Sequence, residues 1–138
     1  MARLVEFAQN NLFLVLALLA TWSAVMFYEI KLKSRGLFQV SSADALRIIN
    51  KGAMIIDVRP AEAYGNGHIV NARNIALEAL ESDRPPLKRK NKVLLTVCEN
   101  GINSGKAASS LRKAGFDSVF SLKGGLTQWR AENLPLVK

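Results

Sequence analysis

A single cysteine, Cys98, follows directly on an apolar run, Val93 to Val97, and opens the segment Cys98-Glu99-Asn100-Gly101-Ile102-Asn103-Ser104. A thiol at the carboxyl end of a buried strand, followed by a glycine that permits a tight turn and then by a helix, is placed where an anion is stabilised. Successive backbone N–H groups in such a loop converge on one point, and the helix amino terminus adds positive partial charge there. Those conditions favour the thiolate, the form that attacks electrophilic sulfur. The loop taken alone leaves open a buried, inert cysteine at a strand end. Spacing excludes a cysteine phosphatase, which needs an arginine six positions after the thiol to clamp phosphoryl oxygens; Ser104 stands there instead. With one cysteine the chain has no internal disulfide and no resolving thiol, so a group carried on Cys98 must leave to an external acceptor.

Other residues invite functional labels. His68 is the only histidine, and with no cysteine or acid at ligand spacing it points to a structural hydrogen bond and to no metal site. Asp57 and Arg59 sit at a strand end, where they suit a buried pair that organises loops, with Arg59 also in reach of an anionic substrate. Trp129 reads as a core anchor. The run Arg84 to Lys92 holds Arg84, Lys88, Arg89, Lys90 and Lys92 around Pro85-Pro86, with no interleaved aromatics, and so reads as a solvated loop or a lipid-facing patch and as no nucleic-acid site.

The elements that must hold these residues follow from pattern. Met54 to Val58 and Val93 to Val97 are short apolar runs without polar alternation, as expected of strands buried on both faces of a parallel sheet. Phe38 to Val40 predicts a first strand. Ser41 with Asp44 three residues on resembles a capping box that opens a helix reaching about Asn50, stopped by Gly52. A loop-rich stretch with Gly65, Gly67, Pro85 and Pro86 separates the two apolar runs. Ala107, Ala108, Leu111 and Ala114 recur at helical spacing up to Gly115, Val119 to Leu122 predicts a last strand, and Gly124-Gly125 leads into a final helix with Leu126 and Trp129. Strands alternating with helices imply an α/β domain with a mostly parallel sheet flanked by helices, in which ligands bind beyond the strands' carboxyl ends. Cys98 lies at one such end.

The chain has 138 residues and a formal net charge of +8, with 49% hydrophobic residues, which excludes a disordered chain. The charge is unevenly placed: Phe7 to Tyr28 contains none, Arg3 and Glu6 cancel, and the excess belongs to residues 29 to 138. The uncharged stretch, with Trp22, Phe27 and Tyr28 toward its end, predicts one uncleaved transmembrane helix; a cleaved signal peptide would want a more basic start, a shorter apolar centre and a small-residue cleavage site. Lys31, Lys33 and Arg35 after the span, against Arg3 before it, place the carboxyl-terminal domain in the cytoplasm, so that the protein is a single-pass protein of the inner membrane. The expected division is 1–35 for the helix and basic linker and 36–138 for one compact domain.

Motif order carries a resemblance. Asp57-Val58-Arg59 with Glu62 and Tyr64, then Gly67-His68-Ile69 and Ala72-Arg73-Asn74-Ile75, then the strand delivering Cys98 into a loop of Cys, two residues, Gly, two residues, and finally Val119 and Leu122 leading to Gly124-Gly125, Trp129 and Leu134-Pro135, together resemble the rhodanese-like sulfurtransferases. The resemblance covers roughly residues 37 to 137 as one rhodanese domain. It implies that Cys98 takes a sulfane sulfur from a small-molecule or protein donor, holds it as a persulfide, and passes it to a thiol or cyanide, with no metal or organic cofactor. Loop amides from Glu99, Asn100, Gly101, Ile102, Asn103 and Ser104 would cradle the sulfur, with Arg59 beside them. The loop departs from many active members in lacking a cation, and Glu99 adds negative charge that should weaken thiosulfate binding, with Lys106 partly compensating. A rhodanese-like interaction module tethered at the membrane, with little catalysis, is the alternative. Oligomeric state stays open.

Overall fold

The structure is a computed structural model that describes residues 1–36, 38–82, 86–88 and 91–138, with the backbone alone for 33–36. The side chains of Lys33 and Arg35, and Arg84, Pro85, Arg89 and Lys90 of the basic run, therefore lie outside the described residues. The chain divides into two compact units, Met1–Leu37 and Phe38–Lys138.

In the first unit the chain forms helix α1 (Ala2–Asn10) and helix α2 (Leu12–Gly36); most of the apolar stretch expected as one helix over Phe7 to Tyr28 lies in α2, and its first residues lie in α1. The break falls at Asn11, whose backbone N–H and side-chain Nδ2 both donate to the Phe7 carbonyl, each at 3.0 Å. An asparagine side chain that competes for backbone groups is a local alternative to continuing the helix. The stretch long and apolar enough to cross a membrane is Leu12–Leu32, further along the chain than expected. Its 21 residues at about 1.5 Å each reach across roughly 30 Å of hydrocarbon. None of its apolar window is buried against protein, and Thr21 satisfies its own hydroxyl by donating to the carbonyls of Ala17 and Leu18, at 3.0 and 2.9 Å.

The second unit is built on a five-stranded sheet, all of whose pairings are parallel, in the order β1-β5-β4-β2-β3. The strands are β1 (Gln39–Val40), β2 (Met54–Asp57), β3 (Arg73–Asn74), β4 (Leu94–Val97) and β5 (Val119–Leu122). Between and after them come α3 (Ser42–Asn50), α4 (Ala61–Gly65), α5 (Leu77–Leu80), α6 (Ile102–Lys113) and α7 (Gly125–Ala131). The expected cap of α3 is present: Ser41 Oγ accepts the Asp44 N–H at 3.2 Å and donates to the Asp44 carboxylate at 3.0 Å. Gly52, beyond the end of α3, and Gly115, beyond the end of α6, both adopt positive φ, which an L side chain would resist.

Because successive strand residues face opposite ways, the sheet builds two cores. Ile56, Leu94 and Val119 pack with Leu80 of α5 and Ala107, Ala108 and Leu111 of α6. Ile55, Leu95, Val97 and Leu122 pack on the other face with Ala45 of α3 and Leu126 and Trp129 of α7. The mostly apolar character of β2 and β4, in which the polar residues are Asp57 and Thr96, both buried, follows from this two-sided cover. Elements α4, β3 and α5 stand where the sequence reads as loop; each is five residues or fewer, too short to carry a period.

Candidate active site

Strand β4 is the central strand, so its carboxyl end opens between two neighbours, and there the chain turns through Cys98 into α6. Gly101 is the residue before α6 and has φ +91°; a Cβ on it would lie 3.2 Å from the Gly124 nitrogen and 3.3 Å from the Leu122 oxygen. A side chain there meets both backbone strain and crowding, so glycine is required.

The turn points its backbone in a definite way. Leu126 N–H donates to the Cys98 carbonyl at 2.9 Å, and Thr127 donates to the Glu99 carbonyl from its N–H at 3.0 Å and its hydroxyl at 2.9 Å. The amino end of α7, which has backbone donors to satisfy, thus holds the loop carbonyls on its side. Gly125 makes the approach possible: with φ +58°, a Cβ there would sit 2.4 Å from the Cys98 oxygen and 2.6 Å from the Glu99 oxygen. On the sulfur side, the Gly101 N–H donates to Cys98 Sγ at 2.9 Å. An amide donor is thus aimed at the sulfur from the residue that precedes the 12-residue helix α6.

Cys98 is 2% exposed. Around its sulfur, Ser104 Oγ lies at 3.4 Å and Asn100 Oδ1 at 3.8 Å. The buried Ser104 hydroxyl also donates to the Gly101 carbonyl at 3.2 Å, and Asn100 Oδ1 accepts the Ile102 N–H at 3.1 Å. Thr96, wholly buried on β4, ties the first turn of α6 to the sheet by donating to the Ser104 carbonyl at 2.8 Å. Of the residues singled out from sequence, Cys98, Asn100, Gly101 and Ser104 therefore surround one sulfur. Ile102 and Asn103 face outward, Ile102 with 62% exposure, and Lys106 is exposed.

Arg59 and Glu99 are joined by a charge network instead. The buried Arg59 guanidinium donates from Nε to both Asp57 oxygens at 3.0 and 3.1 Å, and from Nη2 to Asp57 Oδ2 and the Gly67 carbonyl, both at 2.7 Å. Its remaining nitrogen, Nη1, reaches Glu99 Oε2 at 3.4 Å. Burial works against the Arg59 charge, but the hydrogen bonds and charge of Asp57, with Glu99 behind, outweigh it and raise its pKa. The other Glu99 oxygen pairs with Arg130 of α7. That hydrogen bond, reinforced by the charges of Arg130 and Arg59, holds the Glu99 carboxyl below its usual range. The negative charge that the sequence sets beside the thiol is thus neutralised from both sides. Arg130 was not legible as a site residue: it lies 31 positions from Glu99 and only the docking of α7 on the loop brings them together. Gly125 was legible as a turn, but not as a point of backbone contact.

The remaining motif residues are structural. His68 Nδ1 is 2.9 Å from the Tyr64 carbonyl, its ring stacks on Tyr64 at 3.8 Å, and its backbone exchanges hydrogen bonds with Val137, both at 2.8 Å. Trp129 Nε1 donates to the Pro135 carbonyl at 3.1 Å. Among the described residues no group of three or more His, Cys, Asp or Glu side chains could hold a metal ion.

Residues 41–132 match the model of the rhodanese-like domain family. Over its whole length the chain is 30% identical to the uncharacterized protein YibN of Escherichia coli K12, covering 99% of that protein. Sixty per cent of the chain is 38% identical to thiosulfate sulfurtransferase GlpE of Shewanella oneidensis, covering 81% of it. Among solved structures, a rhodanese-related protein from Thermoplasma volcanium superposes with a TM-score of 0.65 at 26% identity, over 72% of this chain and 96% of that one.

Proposed function

Since the chain belongs to the rhodanese-like domain family, we propose that residues 36–138 form a sulfurtransferase that carries sulfane sulfur on Cys98. The observation that supports this reading best is the Gly101 N–H directed at Sγ from the start of α6, with the loop carbonyls held away by α7. In the first half-reaction the Cys98 thiolate attacks the outer sulfur of the donor. A bond forms between the two sulfurs, the donor's own S–S bond breaks, and the donor leaves with the electron pair, as sulfite from thiosulfate or as a thiolate from a persulfide. In the second, an acceptor thiolate or cyanide attacks the outer sulfur of the Cys98 persulfide and the Cys98 thiolate departs. Amides of Glu99 to Ser104 cradle the transferred sulfur, the Ser104 hydroxyl adds a polar neighbour, and Arg59, paired with Asp57, positions Glu99 at the edge of the loop.

The helix Leu12–Leu32 supports a membrane anchor, and the excess of Lys31, Lys33 and Arg35 over Arg3 supports a domain on the cytoplasmic face of the inner membrane. There the thiol is kept reduced between turnovers.

The test is intact mass spectrometry of the full chain in detergent, exposed briefly to thiosulfate or to a low-molecular-weight persulfide. Wild type should gain one sulfur atom that cyanide or a thiol removes, and Cys98→Ser should gain none. A folded wild type that gains no sulfur from either donor would overturn the reading. The exposed Ile102 beside the loop favours a second reading, a membrane-tethered interaction module. In that case partner capture would survive Cys98→Ser and fall with Ile102→Asp.

A further inference from the structure

We propose that Glu99 is a specificity-determining residue: by binding Arg59 and Arg130, it holds the charged cluster beside the sulfur loop at zero net charge and turns the site away from dianionic donors toward persulfides. This rests on Cys98 carrying sulfur, as argued above. Four charges form one connected cluster, Asp57 with Arg59, Arg59 with Glu99, and Glu99 with Arg130. Two carboxylates against two guanidinium groups leave no surplus. Asp57 and Arg59 are buried and committed to each other through three hydrogen bonds, so that pair is fixed. Glu99 and Arg130 are half exposed, which makes them the adjustable members.

The consequence differs between donors. Thiosulfate brings two negative charges and leaves as doubly charged sulfite, so its capture by the thiolate profits from any uncompensated cation at the loop. A persulfide with no other charge brings at most one and transfers a sulfur that the loop amides can hold without help. With Glu99 ionised, Arg59 and Arg130 are directed at its two oxygens, one each, and offer a dianion little. Removing that carboxylate leaves the cluster with one positive charge beside the loop, and removing Arg130 leaves it with one negative charge.

The experiment measures sulfur loading of the full chain in detergent, at low and high salt, with thiosulfate and with an N-acylcysteamine persulfide. Wild type, Glu99→Gln, Arg130→Gln and the double variant are compared by the ratio of kcat/KM for thiosulfate to that for the persulfide. That ratio should rise about fivefold in Glu99→Gln, fall by a similar factor in Arg130→Gln, return near the wild-type value in the double variant, and converge for all four at high salt. The persulfide arm reports folding and Cys98 competence within each variant, and opposite signs for two variants of one ion pair are not what loss of structure produces. Sulfur loading with the same ratio in all four proteins would overturn this inference alone. No loading of Cys98 by either donor in any of them would overturn the sulfur-transfer reading and this inference with it.

Discussion

The carboxyl ends of β2 and β4 lie side by side, with Asp57 paired in register with Val97, yet they are used in opposite ways. At the end of β2 the polar groups bind one another: Asp57 takes the Arg59 side chain and backbone N–H, Arg59 also holds the Gly67 carbonyl, and Asn74 donates to the Asp57 and Arg59 carbonyls at 3.2 and 2.8 Å. At the end of β4 the binding capacity is turned toward a sulfur atom, with Gly101 N–H, Ser104 Oγ and Asn100 Oδ1 around it. Two adjacent strands of one sheet thus end in a closed network and in a receptive loop. The difference lies in what the polar groups face: at the end of β2 they face one another, whereas at the end of β4 three of them face the Cys98 sulfur, with Ser104 and Asn100 each keeping a second partner inside the loop.

Substitutions can break that contrast in order of effect. Cys98→Ser should abolish sulfur uptake, a loss of more than about a thousandfold, while leaving the denaturation midpoint nearly unchanged, as read by mass spectrometry and urea melts. Asp57→Ala should do the reverse in kind, destabilising the domain by about 3–5 kcal/mol because the buried Arg59 charge loses its partner; an unchanged urea midpoint would sink the closed-network account. Gly125→Ala acts on the loop at the end of β4 alone. Its methyl group would be driven into the Cys98 and Glu99 carbonyls, costing about 1–3 kcal/mol in stability and, by displacing the loop, roughly a hundredfold in sulfur uptake.

The smallest effect is a pH dependence. The folded-state pKa of Glu99 is lowered, so its contribution is present above the unfolded value and is lost as pH falls through the lowered folded value. Because the carboxylate is half exposed, the contribution is only about 0.2–1 kcal/mol after solvent screening. The stability difference between wild type and Glu99→Gln should therefore be constant at neutral pH and vanish in acid below the ordinary carboxylate range. A difference that grew in acid would contradict the pairing with Arg130 and Arg59.

Much of the fold was legible from local pattern. The capping pair Ser41 and Asp44, the apolar runs of β2 and β4, and the alanine and leucine spacing of α6 each carry their own signal, because short-range hydrogen bonding and two-sided burial leave a mark in consecutive residues. The short elements α4, β3 and α5 left none, since a turn of helix or a two-residue strand is stabilised by what it packs on. The amino-terminal segment was legible as apolar and long, but its break at Asn11 shifts the candidate span to Leu12–Leu32.

For the site, the sequence by itself determined that a lone thiol follows a buried strand and enters a glycine-containing turn, because composition and spacing along the chain dictate that much. Only the tertiary structure decided where the charges go. Glu99, which next to Cys98 in sequence reads as a burden on the thiolate, is neutralised by Arg59 from 40 residues upstream and Arg130 from 31 residues downstream. The carbonyls of the loop are likewise held by Leu126 and Thr127 of a helix beyond the next strand. Electrostatic and hydrogen-bond partners are set by distance in space, and in a parallel sheet whose crossovers bring distant segments to one edge, that distance cannot be read from separation along the chain.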